Sequence, residues 1–114
     1  GPRARPPTSA ARQDLMLDLR YSSAAQRDLG EIANYLEQQA GTTVATKVLG
    51  RIRRQALTLR RDAHRYRERV ELGEGRRALL VGAYIVFNRI EADTVFIQRI
   101  LHSARQIEPR LFEE

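Results

Sequence analysis

The chain has 114 residues, 42% of them hydrophobic and 30% charged, with a formal net charge of +6 and no cysteine. That length fits one domain around one core, and the missing thiols exclude disulfides and thiolate metal sites, so a reducing cytoplasm is the expected location. The longest apolar stretch, 78–87, is broken by Gly82 and falls far short of the roughly 20 residues of a membrane helix, so no membrane role is expected.

Residues 1–14 hold Pro2, Pro6, Pro7, Thr8 and Ser9 without apolar periodicity, which predicts a disordered or tag-derived segment ahead of a single domain spanning 15–114. Residues 15–21 alternate, with Leu15, Leu17, Leu19 and Tyr21 on one side, as a strand does. Ser23 with Gln26 has capping-box spacing and opens a helix whose apolar face is Ala25, Leu29, Ile32, Ala33 and Leu36, with Arg27, Asp28, Glu31 and Glu37 elsewhere. Gly41 suits the helix stop. Thr42 or Thr43 then caps a second helix with the stripe Ala45, Val48, Leu49, Ile52, Ala56 and Leu59. A join this short predicts an antiparallel helical hairpin.

Residues 60–65 show no pattern and read as a connecting loop. Four strands are expected over 66–72, 76–81, 84–90 and 94–101, bounded by Gly73-Glu74-Gly75, Gly82-Ala83 and Glu91-Ala92-Asp93. Beyond Arg105, Pro109 interrupts a tail with room for one helical turn. The sum is an α+β domain: an N-terminal strand, then an antiparallel helical hairpin packed on an antiparallel β-meander sheet.

The charge is concentrated. Between Lys47 and Arg77 stand 11 basic and 4 acidic residues, a net +7, so the remainder of the chain sums to −1. All basic residues except Lys47 are arginines, whose forks suit carboxylate or phosphate, so an acidic partner protein or nucleic acid is the natural ligand class. Nucleophilic catalysis has little to work with: cysteine is absent and no Gly-x-Ser-x-Gly elbow occurs. His64 and His102 have no metal-ligand spacing, and Gly73-x-Gly75 is a hairpin rather than a phosphate loop, so no metal or cofactor is expected. What remains is Arg76, Arg77, Arg99, His102 and Arg105 near strand ends. Converging on one sheet face, they would stabilise a scissile phosphate, with His102 the sole residue suited to moving a proton. The structural alternatives are that Arg76 and Arg77 solvate a strand start, Arg99 pairs with Asp93 or Glu91, and His102 bonds to backbone.

Several short motifs occur in a specific order. Tyr21-Ser22 ends the first strand. Ala25, Asp28, Leu29, Ile32 and Tyr35 fit Ala-x-x-Asp-Leu-x-x-Ile-x-x-Tyr, and a Leu-Arg-x-Leu-x-Val-Gly-x-Tyr-x-Ile-x-Tyr-Arg strand pair is matched by Arg77, Leu79, Val81, Gly82, Tyr84, Val86 and Arg89. The chain closes on Asp93, Val95, Ile97, Arg99, Leu101, His102, Ala104 and Arg105. From about Leu17 to Phe112 this resembles the ParE family of the RelE/ParE superfamily, the small basic toxins of type II toxin–antitoxin systems. Asn88, Leu80 and Gln106 depart from the usual Tyr, Pro and Asp, and the stretch 61–71 is unusually arginine-rich.

The resemblance implies a toxin silenced in a hetero-oligomer by a cognate ParD-like antitoxin with an acidic C-terminal segment. The expected antitoxin contacts are Leu36, Arg51, Ile52 and Arg54 on the helices and Arg77, Leu79, Tyr84 and Arg89 on the sheet. It also implies DNA gyrase as the target, bound through Arg76, Arg99, His102 and Arg105, by a protein inhibitor without catalytic residues. A RelE-like ribosome-dependent messenger RNA endonuclease is the alternative, with Arg77, Arg99, His102 and Arg105 as its catalytic set. It is less favoured because no tyrosine follows Tyr84 and Phe112 cannot transfer a proton. A non-enzymatic nucleic-acid-binding module is the third possibility.

Overall fold

The computed structural model describes residues 16–113, so the segment 1–14 expected to be disordered or tag-derived lies outside the described residues. Strand β1 (Asp18–Tyr21) leads into α1 (Ser23–Ala40) and α2 (Thr42–Leu57), then a short α3 (Leu59–Asp62). Strands β2 (Arg76–Val81), β3 (Tyr84–Glu91) and β4 (Thr94–His102) follow, and a 3-10 turn over Pro109–Phe112 closes the chain. The sheet order is β1-β4-β3-β2. Strands β2, β3 and β4 form the expected antiparallel meander, and β1 joins β4 in parallel, which makes the sheet mixed.

Helix α1 is capped by Ser22 rather than Ser23: its Oγ accepts from the Ala25 amide at 3.0 Å and donates to the Gln98 carbonyl of β4 at 2.8 Å. One hydroxyl thus satisfies a helix start and a strand carbonyl together. Gly41, at φ 92°, ends α1 and also opens α2, so neither Thr42 nor Thr43 caps the second helix. The left-handed φ is open to glycine without steric cost.

Two expectations fail between the helices and the meander. Residues 60–65 form α3 and a 3-10 turn over Ala63–Arg65, because Leu59 and Ala63 continue the buried stripe of Ile52 and Ala56. Arginine is also a good helix former, and the polar exterior hid the period. Residues 66–72 make only an isolated bridge, Glu68 with Arg77, before a 3-10 turn over Val70–Leu72. That turn swings Leu72 into the core and leaves Arg69 and Glu71 paired in water at 2.6 Å.

The core has two parts. Helices α1 and α2 pack on one sheet face through Ala25, Leu29, Ile52, Ala56, Leu79, Val86, Val95, Ile97 and Ile100. On the other face Phe87, Leu101 and Leu72 meet Ile107, Leu111 and Phe112 of the tail. A bulge divides them: Phe87 pairs with Arg99 but Asn88 with Ile97, leaving Gln98 as the extra residue in β4. The alternation is thereby shifted, so that Ile100, rather than Arg99, follows Val95 and Ile97 into the helix-side core.

Beyond Ile97 the edge of β4 is no longer covered by β1. Asp28 of α1, 5% exposed, covers it instead. Its carboxylate accepts from Arg99 Nε and Nη2, each at 2.8 Å, and from the Ile100 amide at 2.9 Å. Arg99 Nη1 in turn donates to the Leu111 carbonyl of the tail at 2.6 Å. Removing one partner of such a buried pair strands the other charge. Asp28→Ala should therefore lower the unfolding free energy by about 3–5 kcal/mol in a denaturant titration; a loss below about 1 kcal/mol, the scale of an exposed ion pair, would show that the clamp is dispensable.

Candidate functional site

An open groove of about 740 Å³ runs between the helical hairpin and the far end of the meander. Its floor is apolar because the inner faces of five elements meet there: Ile32 and Leu36 from α1, Val48 and Ile52 from α2, Val81 from β2, Tyr84 from β3 and Ile100 from β4. The two-residue turn Gly82-Ala83 forms one wall, with Gly82 at φ 59°. The space a Cβ would fill at Gly82 lies 3.4 Å from Arg51 Nη1, so the turn leaves that guanidinium room to reach across from α2. Tyr35, 60% exposed, stands on the α1 rim.

The rim carries the cations Arg51 and Arg105 with the His102 ring between helix and strand ends, while Asp28 and Glu31 lie on the α1 side. The Asp28 carboxylate is already held by Arg99, which leaves Glu31 as the acid free to meet a ligand. The His102 ring stands edge-on to Tyr84, with centroids 5.4 Å apart, and its Nδ1 accepts from the Ala104 amide at 3.0 Å. With Nδ1 so occupied, the neutral ring carries its proton on Nε2, which can donate but not abstract. Burial, followed by the neighbouring Tyr35 phenol, raises the Tyr84 pKa above the ordinary 10.0.

The groove gathers residues assigned to two different tasks from the sequence. Leu36, Arg51, Ile52 and Tyr84 of the antitoxin set line it, and so do His102 and Arg105 of the target set. The rest lie elsewhere. Leu79 is core beneath the helices and Arg54 is exposed on α2. Arg89 pairs with Glu91 at 2.8 Å, and Arg77 donates to the Tyr66 carbonyl at 2.8 Å beside Glu68.

The expected convergence of Arg76, Arg77, Arg99, His102 and Arg105 on one sheet face does not occur. Neighbours along a strand point to opposite faces, so Arg77 sides with Leu79 and the helices while Arg76 sides with the tail. Arg76, 8% exposed, lies 3.9 Å from the Phe112 ring centroid and donates to Gln98 Oε1 at 2.8 Å and to the Leu72 carbonyl. Burial, then the nearby Arg89 cation, lowers its pKa. Arg76 therefore packs rather than solvating a strand start, and Arg99 pairs with Asp28 rather than Asp93 or Glu91. Sequence reasoning missed Asp28, although a carboxylate three residues after Ala25 sits on the apolar face, and it missed the cover that Phe112 provides. Nothing in the sequence marked Tyr35 as a rim residue. Among the described residues no group of three His, Asp or Glu could hold a metal ion, and no helix is long and apolar enough to cross a membrane.

Residues 19–107 match the family described as the ParE toxin of the type II toxin–antitoxin system parDE. The fold is shared with a chain of the chromosomal ParDE TA system from P. aeruginosa, at 24% identity and a TM-score of 0.69, covering 76% of this chain and 96% of that one. It is also shared with a chain of the toxin–antitoxin complex RelBE2 from Mycobacterium tuberculosis, at 22% identity and a TM-score of 0.58, covering 82% of this chain and 98% of that one. Among curated proteins, none matches.

The raised Tyr84 pKa couples the groove to pH. Folding favours the protonated phenol, so this contribution to stability is fully present below the ordinary value of 10.0 and is lost as pH rises through the higher folded value. Tyr84→Phe should remove a late step from the alkaline absorbance titration of the folded protein and flatten its loss of stability at high pH. Loss of a step at the ordinary value of 10.0 instead would place the phenol in water.

Proposed function

The chain belongs to the ParE toxin family of type II toxin–antitoxin systems, and on that premise we propose that it is held inactive in the cytoplasm by a cognate ParD-like antitoxin seated in the groove. The observation that carries this reading is the groove's composition: an apolar floor of Ile32, Leu36, Val48 and Ile52 beneath a rim of the cations Arg51 and Arg105 with His102 beside them. A segment that alternates apolar anchors with carboxylates complements both parts, and such segments order as they bind. The assembly is a toxin–antitoxin hetero-oligomer. With the protein encoded beside this chain as ligand, Leu36→Asp and Arg105→Glu should each weaken binding at least about tenfold, the scale of losing one anchor. Circular dichroism should stay unchanged, and full affinity in both variants would refute the groove as the seat.

We further propose that the unbound protein inhibits DNA gyrase as a binding poison, as the family resemblance implies, rather than cutting RNA. The separation of the basic residues supports this. Arg76 and Arg99 are occupied by the tail and by Asp28, Arg77 lies on the opposite face from Arg76, and His102 presents a donor. A phosphodiester-cleaving site needs its cations and its base within reach of one phosphate. Inducible expression followed by parallel assays tests the choice: inhibited supercoiling with intact translation is the expected result. Cut messages, abolished by His102→Ala, would establish the nuclease instead.

A further inference from the structure

The solvent face of α2 and of the turns after it carries a feature of which the groove uses only Arg51. Ala45, Leu49, Ile52, Ala56, Leu59 and Ala63 form the face turned to the core, and the burial continues unbroken across the step at Thr58 into α3. Two residues further on from each stand Lys47, Arg51, Arg54, Thr58, Arg61 and Arg65, all exposed. Within α2 two residues are about 200° of helix, so Lys47 and Arg54 lie away from the core with Arg51 beside the groove; past the break at Thr58, Arg61 follows in α3 and Arg65 in the 3-10 turn. Five of the six are cations. No acidic residue occurs between Glu37 and Asp62, and Asp62 meets only Arg65, at 3.7 Å. Among the described residues Lys47, Arg51, Arg54 and Arg61 have no carboxylate partner.

Folding alone does not favour such a line, because like charges three and four residues apart destabilise a helix. A solvated helix ordinarily intersperses the two signs. The line contains no apolar or aromatic side chain, so it lacks the anchors of a protein interface and the stacking surfaces that hold single strands. It has instead what a row of phosphates requires: arginine forks exposed one after another along consecutive helical turns.

We propose that this stripe binds the phosphate backbone of duplex DNA without reading its sequence. Arg51 belongs to the groove rim, whereas Lys47, Arg54, Arg61 and Arg65 lie outside it, so the assignment rests on these four and is independent of what occupies the groove. Four neutralised phosphates would make affinity fall on the order of 100-fold between about 50 and 200 mM salt.

The test is fluorescence anisotropy of the full chain with a short labelled duplex of random sequence. The combined variant Arg54→Gln and Arg61→Gln should reduce that salt effect to roughly tenfold, since two phosphate contacts are lost. The combined variant Arg20→Gln and Arg27→Gln removes the same charge from exposed positions off the stripe and should leave the salt dependence as it was. Three results would each overturn the proposal: no duplex binding at low salt, an equal loss in both variants, or tighter binding of duplex RNA or polyglutamate than of DNA.

Discussion

Asp28 is the residue on which the arrangement of helix, sheet and tail depends. Its carboxylate bonds the Arg99 guanidinium twice and the Ile100 amide once, at the place where β1 stops covering β4. Arg99 carries the link onward to Leu111 in the tail. Desolvating two charges is costly, and a buried pair of this kind contributes little net stability compared with apolar packing. Its role is one of arrangement: a carboxylate buried at that depth has few other ways to be satisfied, so the start of α1, the end of β4 and the C-terminal turn are held in one register. The Ser22 hydroxyl, bonded to the Gln98 carbonyl, adds a second tie at the N-cap of α1.

The Gln98 bulge works with this clamp. With strict alternation, Arg99 would follow Val95 and Ile97 under the helices, where a guanidinium could not be hydrated. One inserted residue sends Ile100 inward instead and leaves Arg99 at the edge, beside Asp28. The same residue's side chain accepts from Arg76 on the opposite face. The basic residues near the strand ends are thus dispersed among three environments: the tail side, the helix side and the groove rim.

Helix α2 divides its labour by face. One side packs into the core, another contributes Val48 and Ile52 to the groove floor with Arg51 at its rim, and the side opposite the core carries the cationic line. These roles coexist because the 3.6-residue period separates them in angle along a single rod. The concentration of charge between Lys47 and Arg77 therefore does not make one patch. Part is exposed along α2, part borders the groove, and Arg76 and Arg77 are built into the sheet.

Much of the fold was legible in the chain itself. The helical hairpin and the three-strand meander follow from local period and turn residues, and Gly41 and Gly82 fall where positive φ is required. The family could be read from the order of short motifs. The local period failed at 60–65, where arginines hid a helix, and at 66–72, where a bridge and a 3-10 turn replace a strand. What the sequence determined by itself is whatever neighbours in the chain decide: helix faces, turns and the accumulation of charge. Only the tertiary structure decided the parallel pairing of β1 with β4, the bulge, the partnership of Asp28 with Arg99 across 71 residues and the gathering of groove residues from five elements. Each of these depends on which distant groups meet once the core is closed, and local period carries no record of such meetings.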